Sequence, residues 1–181
     1  ATTQNENCTV EAGKWLSYYN ATTYLKASSL QIDHTVPVEN VWISGAWRWT
    51  QATRVAYYND IKDPRTLVAV DSHDNESKGD QDPADWQPPN RQDWCDYVSA
   101  WVQVKLAWNL SADEAEVTAL ANMAKVRDRF NAEKAFELME RYGVHFDPAL
   151  RDEVVARVDR LQLPSYTGFV MPRLEAITGA A

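Results

Sequence analysis

Apolar positions change spacing several times along the 181 residues, and each change marks an expected change of backbone. Leu30-Gln31-Ile32 alternates ahead of Asp33-His34, which predicts a strand, and Pro37, with no N–H for a ladder, turns it into a loop. Thr66-Leu-Val-Ala-Val70 is a short β-branched and apolar run of the kind that forms a buried strand, entered through the turn Asp63-Pro64-Arg65. Between the two, Trp47, Ala52, Val55 and Tyr58 fit one helix that starts after the breaker Ser44-Gly45. A β-hairpin with a long, partly helical insert follows from these elements. Polar Asp71-Ser-His-Asp74 then caps a short helix through Asn75-Glu-Ser-Lys-Gly-Asp80, which Pro83 closes off.

Beyond Pro88-Pro89 the spacing is helical throughout. Trp94, Val98, Trp101, Val102 and Trp108 predict a packing helix. Ser111 with Glu114 reads as a capping box ahead of Val117, Leu120, Ala121 and Ala124. Asp147-Pro148 opens a further helix through Val154, Val155 and Val158 to about Leu161. The expected class is α+β, with one domain over residues 1–110 and a helical extension over 111–181 packed on it or appended to it.

Composition adds constraints. With 45% apolar residues the chain can bury a sizeable core, and no run approaches the length of a membrane span, so no membrane partner is expected. All eight Trp lie between Trp15 and Trp108, which sets the first part of the chain apart from the rest. A net charge of -8 argues against gripping nucleic acid through a broad basic surface. The two cysteines, Cys8 and Cys95, suit one long-range disulfide better than two inert thiols. Four of the ten Asn (Asn7, Asn20, Asn75 and Asn109) open N-x-[ST] sequons. Disulfide and sequons together lean towards a secreted protein.

Few residues are candidates for chemistry. Asp33 and His34 sit side by side at a strand end, where successive side chains alternate, so carboxylate and imidazole can serve different partners. Asn75 and Lys78 fall one helical turn apart and share a face. A carboxylate and an amide oxygen are hard ligands that suit Mg²⁺ or Mn²⁺, and a histidine with an ordinary pKa near 6.5 can take a proton from water. His73 is expected to be a solvated capping residue and His145 structural. The acidic stretch Asp71, Asp74, Glu76, Asp80, Asp82 and Asp85 lacks calcium-loop spacing and is expected to be solvated. Trp42, Trp47 and Trp49 fit base stacking and core or rim packing equally well.

The order Ile32-Asp-His-Thr-Val-Pro37, insert, Leu67-Val-Ala-Val70, Asn75-Glu-Ser-Lys78-Gly-Asp80 resembles the HNH, or ββα-metal, nuclease motif. Together with Trp42-Ile-Ser-Gly-Ala46, Tyr58-Asn-Asp60, Trp86-Gln-Pro88 and Cys95-Asp-Tyr97, the segment Lys14 to Leu110 resembles secreted HNH-endonuclease-like proteins related to the C-terminal domain of GmrSD-type restriction enzymes. The resemblance implies a ββα-metal core and a metal-dependent endonuclease that cuts DNA, and possibly RNA, with low sequence specificity. It implies Asp33 and Asn75 as ligands of one divalent ion, Mg²⁺ or Mn²⁺, His34 as general base, and Lys78 as a phosphate contact or an orienting residue. One position departs from the motif. Many HNH sequences carry an Asn that orients the histidine just before the second strand, and Thr66 stands there. A hydroxyl, Asn59 or Asp60 from the insert, or a backbone carbonyl is left to hold the ring. Two other readings fit the same residues: a secreted binding module that uses its tryptophans, and a nuclease toxin whose helical tail binds an immunity partner.

Overall fold

The computed structural model describes residues 2–124. The helix expected after Asp147 and the structural role expected of His145 lie outside the described residues. Among the described residues there are two small antiparallel sheets, and the core lies between the second of them and the helices. Strands β1 (Thr3–Gln4), β2 (Val10–Ser17) and β3 (Thr22–Lys26) form a meander in that order. It was not anticipated from the pattern, because most of its residues are exposed and its register slips between Ala12 and Trp15. A Cβ at Gly13 would lie 2.6 Å from the Trp15 ring, so the missing side chain is what lets that ring fold back on its own strand.

Strand β4 (Leu30–His34) pairs antiparallel with β5 (Leu67–Asp71), from Leu30 opposite Asp71 to His34 opposite Leu67. The expected hairpin is therefore present, and Val68 and Val70 supply its buried face. The insert differs in detail from the single helix expected between Trp47 and Tyr58. It holds α1 (Val38–Ile43), a 3-10 turn (Ala46–Arg48) and α2 (Gln51–Tyr58). Thr50 causes the break: its side chain accepts from the Thr53 N–H at 3.1 Å and starts a new helix. Helix α3 (Ser72–Lys78) follows β5 without a loop, capped by the Asp71 carboxylate, which accepts from the Asp74 N–H at 3.1 Å. Gly79, at φ +53, takes a positive-φ conformation open to glycine and ends it. Strand, insert, strand and helix thus stand in the order the motif predicts.

Helix α4 (Trp94–Ala107) fills the centre with Tyr97, Val98, Trp101, Val102 and Val104. A further helix over 114–124, here α5, adds Leu120, Met123 and Ala124 to the same core, which runs without interruption past position 110. The capping box expected at Ser111 is displaced. Asp113 accepts from the Glu116 N–H at 2.9 Å, while the Ser111 hydroxyl donates to the Ser44 carbonyl. Lys105 and Glu116 form a fully buried ion pair at 2.7 Å, with Lys105 also donating to Ser44 Oγ and the Ser111 carbonyl, and Trp101 Nε1 donating to Glu116 at 2.6 Å. Burial lowers the Lys105 pKa and raises that of Glu116, and each partner opposes the shift of the other.

The expected disulfide is not formed. Cys8 is exposed in the turn between β1 and β2, whereas Cys95 is buried at the start of α4. Their places in the fold explain this: one faces solvent at the edge of the meander and the other faces the core.

Candidate active site

Alternation along β4 separates the two residues of the Asp-His pair. Asp33 points inward and is 6% exposed, while His34, on the opposite face, is half-buried against the insert. The Asp33 side is a closed polar cluster. Lys78, with 0% exposure, places Nζ 2.8 Å from Asp33 Oδ2 and 3.1 Å from Oδ1, and donates to the His34 backbone carbonyl at 2.9 Å. Tyr19, in the turn after β2, donates its hydroxyl to Asp33 Oδ2 at 2.6 Å. Burial lowers the Lys78 pKa and Asp33 pulls it back up; burial and then the Asp33 charge push that of Tyr19 far above its usual value, so the phenol stays a donor.

The shared face expected for Asn75 and Lys78 is the face that docks on β4. Asn75 Nδ2 donates to Gln31 Oε1 at 2.7 Å, two residues before Asp33 and on the same side of the strand, and Gln31 Nε2 donates to Glu76 at 2.9 Å. Helix and strand are therefore joined by two polar contacts one helical turn apart, Asn75 to Gln31 and Lys78 to Asp33. Of the two roles open to Lys78, the orienting one has a physical basis, since all three of its donors are directed at Asp33 and the His34 carbonyl and none reaches solvent.

On the opposite face, His34 Nε2 lies 3.0 Å from the Tyr58 carbonyl. A carbonyl can only accept, so Nε2 carries the proton and Nδ1 holds the lone pair. The ring stacks on Tyr57 at 5.6 Å and meets Tyr58 at 5.1 Å. Tyr57 is itself fixed by donating to the Val36 carbonyl. Burial lowers the His34 pKa from 6.5, the Tyr58 bond and Asp33 oppose this, and Lys78 adds to it, so the imidazole is held neutral. Thr66 does not touch the histidine. Its hydroxyl donates to Asp60 Oδ2 at 3.0 Å and its carbonyl accepts from the Thr35 N–H, closing the insert at its base. Of the substitutes for the missing Asn, the backbone carbonyl is the one used.

Tyr19 and Gln31 escaped the sequence reading. Tyr19 reaches Asp33 across a turn that no spacing rule flags, whereas Gln31 carried a usable signal, being two residues from Asp33 on an alternating strand. His73 is exposed, with Nδ1 3.9 Å from Asp74. Among the described residues, Asp71, His73 and Asp74 offer ligand atoms within 4.8 Å of one another. They lie at the Leu30 end of the hairpin, away from His34, which pairs with Leu67.

Comparison with known sequences decides the family. The profile of the C-terminal domain of GmrSD restriction endonucleases matches residues 2–123. The chain belongs to this family. A relative within reach of this GmrSD C-terminal-domain chain is an uncharacterized secreted protein of Arthroderma benhamiae, 42% identical over 117 residues, which is 65% of this chain and 57% of the relative. The chain thus spans little more than half the length of that relative. No solved structure matches it. Among the described residues, no helix is long and apolar enough to cross a membrane.

Proposed function

We propose that this GmrSD C-terminal-domain chain is a secreted endonuclease that hydrolyses phosphodiester bonds of DNA, and of RNA where the strand can reach the site, with His34 as general base. One observation carries the reading: the His34 imidazole is neutral, fixed through Nε2–H to the Tyr58 carbonyl, and presents a lone pair at Nδ1. A water bonded to Nδ1 gives up its proton there as its oxygen attacks phosphorus in line, and the bond from phosphorus to the leaving oxygen breaks. Lys78, through the His34 carbonyl, fixes the backbone from which the base projects. Family membership and the secreted relative support nuclease chemistry outside the cell.

The family resemblance brings Mg²⁺ or Mn²⁺ with it, as a Lewis acid at the phosphate. Asp33, as arranged, does not fit such an ion, and Asn75 is engaged with Gln31 through Nδ2. Lys78 bridges both Asp33 oxygens, so an ion bound there would face an ammonium group in a site with almost no solvent. In this reading Asp33 serves to hold Lys78. The direct test is plasmid nicking by His34→Ala, with a fall of roughly 10² to 10⁴ in rate expected from losing a general base. Full activity in that variant overturns the assignment.

A further inference from the structure

The insert encloses a pocket of about 330 Å³ lined by Val41, Trp42, Trp49, Val55, Tyr57 and Tyr58, among others. Four aromatic rings line this recess, and two of them remain open to solvent: Trp42 is 45% exposed and Tyr58 is 58% exposed. Trp49 explains itself as packing, since its ring lies 5.5 Å from Trp108 and 6.1 Å from Tyr57. Trp42 and Tyr58 each meet one neighbour, the Arg54 guanidinium and the His34 ring, and leave much of their surface open. The volume is at the small end of ligand pockets, which run from roughly 300 to 1,000 Å³, and suits one flat heteroaromatic ring.

The pocket is continuous with the catalytic face. Tyr57 and Tyr58 line it and also contact the His34 ring, and the Tyr58 carbonyl holds that ring in place. Its lining carries one cation and one anion: Arg54, whose guanidinium lies 5.6 Å from the Trp42 ring centre, and Glu39. Over residues 35–66 as a whole, Arg48, Arg54, Lys62 and Arg65 stand against Glu39, Asp60 and Asp63, with Arg65 paired to Asp63 away from this pocket. A planar base matches the rings, and Arg54 beside Trp42 offers a positive charge to the anionic backbone that carries it.

We propose that this pocket takes one unpaired nucleobase of the strand being cut, adjacent to the phosphate presented to His34. The proposal rests on the nuclease reading above and adds its substrate class: single-stranded nucleic acid, or duplex from which one base has swung out. Isothermal titration calorimetry of the full chain with thymidine 5′-monophosphate and with 2-deoxyribose 5-phosphate tests it. The nucleotide is expected to bind at least about ten-fold tighter than the base-free sugar phosphate. Trp42→Ala should weaken the nucleotide alone by roughly 10- to 100-fold, the usual worth of one base on an aromatic ring. Trp42→Phe should keep most of the affinity, and Ile61→Ala, which is exposed and outside the pocket lining, all of it. Equal binding of the two ligands, or loss of both in Trp42→Ala, overturns the proposal, as does self-association through Trp42 without nucleotide binding. Nucleotide binding by a chain that cuts no oligonucleotide sustains the pocket and overturns the nuclease reading. Cutting without discrimination between base and base-free sugar does the reverse.

Discussion

The two faces of β4 put adjacent residues in opposite surroundings. On one, Asp33 is sealed among Lys78, Tyr19 and the polar docking of α3; on the other, His34 stands against tyrosines at the edge of an open aromatic pocket. The charges divide in the same way. The insert beside His34 carries the small basic excess, while residues 67–96 carry Asp71, Asp74, Glu76, Asp80, Asp82, Asp85, Asp93 and Asp96 against Lys78 and Arg91. One face is closed by buried polar contacts, and the other is the one the proposed function assigns to chemistry. A net charge of -8 is therefore no bar to the proposed function, because residues 67–96 carry much of the acidic excess and the insert beside His34 does not.

Substitutions on the two faces should therefore fail differently. His34→Ala has the largest effect, the 10² to 10⁴ loss of rate given above, with stability changed by only about 1 kcal/mol, since one hydrogen bond and part of a half-buried ring are lost. Nicking rates and urea unfolding on the same preparation check both halves. Asp33→Ala should instead unfold the protein more easily by about 3 to 5 kcal/mol, because it strands a buried ammonium. For a chain of this length that is a fall of about 6 to 20 °C in Tm, read by circular dichroism in a metal-free buffer. A carboxylate free to bind metal would give no such loss.

The pH dependence is smaller in effect and separates the faces again. The folded His34 pKa is lowered, mainly by burial, so the base stays neutral below 6.5, and kcat/KM should hold its plateau until the pH has fallen below that value. Stability follows the same sign: the contribution of His34 is whole above the unfolded value and is lost as the pH falls through the lower folded one, because the unfolded chain takes up the proton first. An acid limb centred above 6.5 would contradict the assignment. The smallest expected effect is none. Mn²⁺ titrated into the protein without nucleic acid should bind equally to wild type and to Asp33→Asn, and tighter binding by wild type would restore Asp33 as a ligand.

Much of this site could be read before the fold was known, for identifiable reasons. Strands β4 and β5 are short apolar runs bounded by Pro and Asp, and Asn75 and Lys78 share a face by helical geometry alone. What escaped depended on distant partners. Alternation showed that Asp33 and His34 diverge, but not that Tyr19, brought in by an exposed and bulged meander, would close one side. Helix α1 was hidden behind Pro37, which was expected to lead only into a loop. Cysteine count raised the prospect of a bridge that the placement of Cys8 and Cys95 does not make. Asp113 took the cap assigned to Ser111 because Ser111 is drawn to the Ser44 carbonyl, a partner 67 residues away.

The division between the faces is tested most directly by a double-mutant cycle on Asp33 and Lys78, measured by urea unfolding in EDTA. If the pair is a buried structural clamp, Asp33→Asn and Lys78→Met are each strongly destabilising, and the double variant recovers much of the loss, with a coupling of roughly 2 kcal/mol or more. Additivity within about 0.5 kcal/mol would mean that the two side chains do not stabilise one another, and would contradict the account.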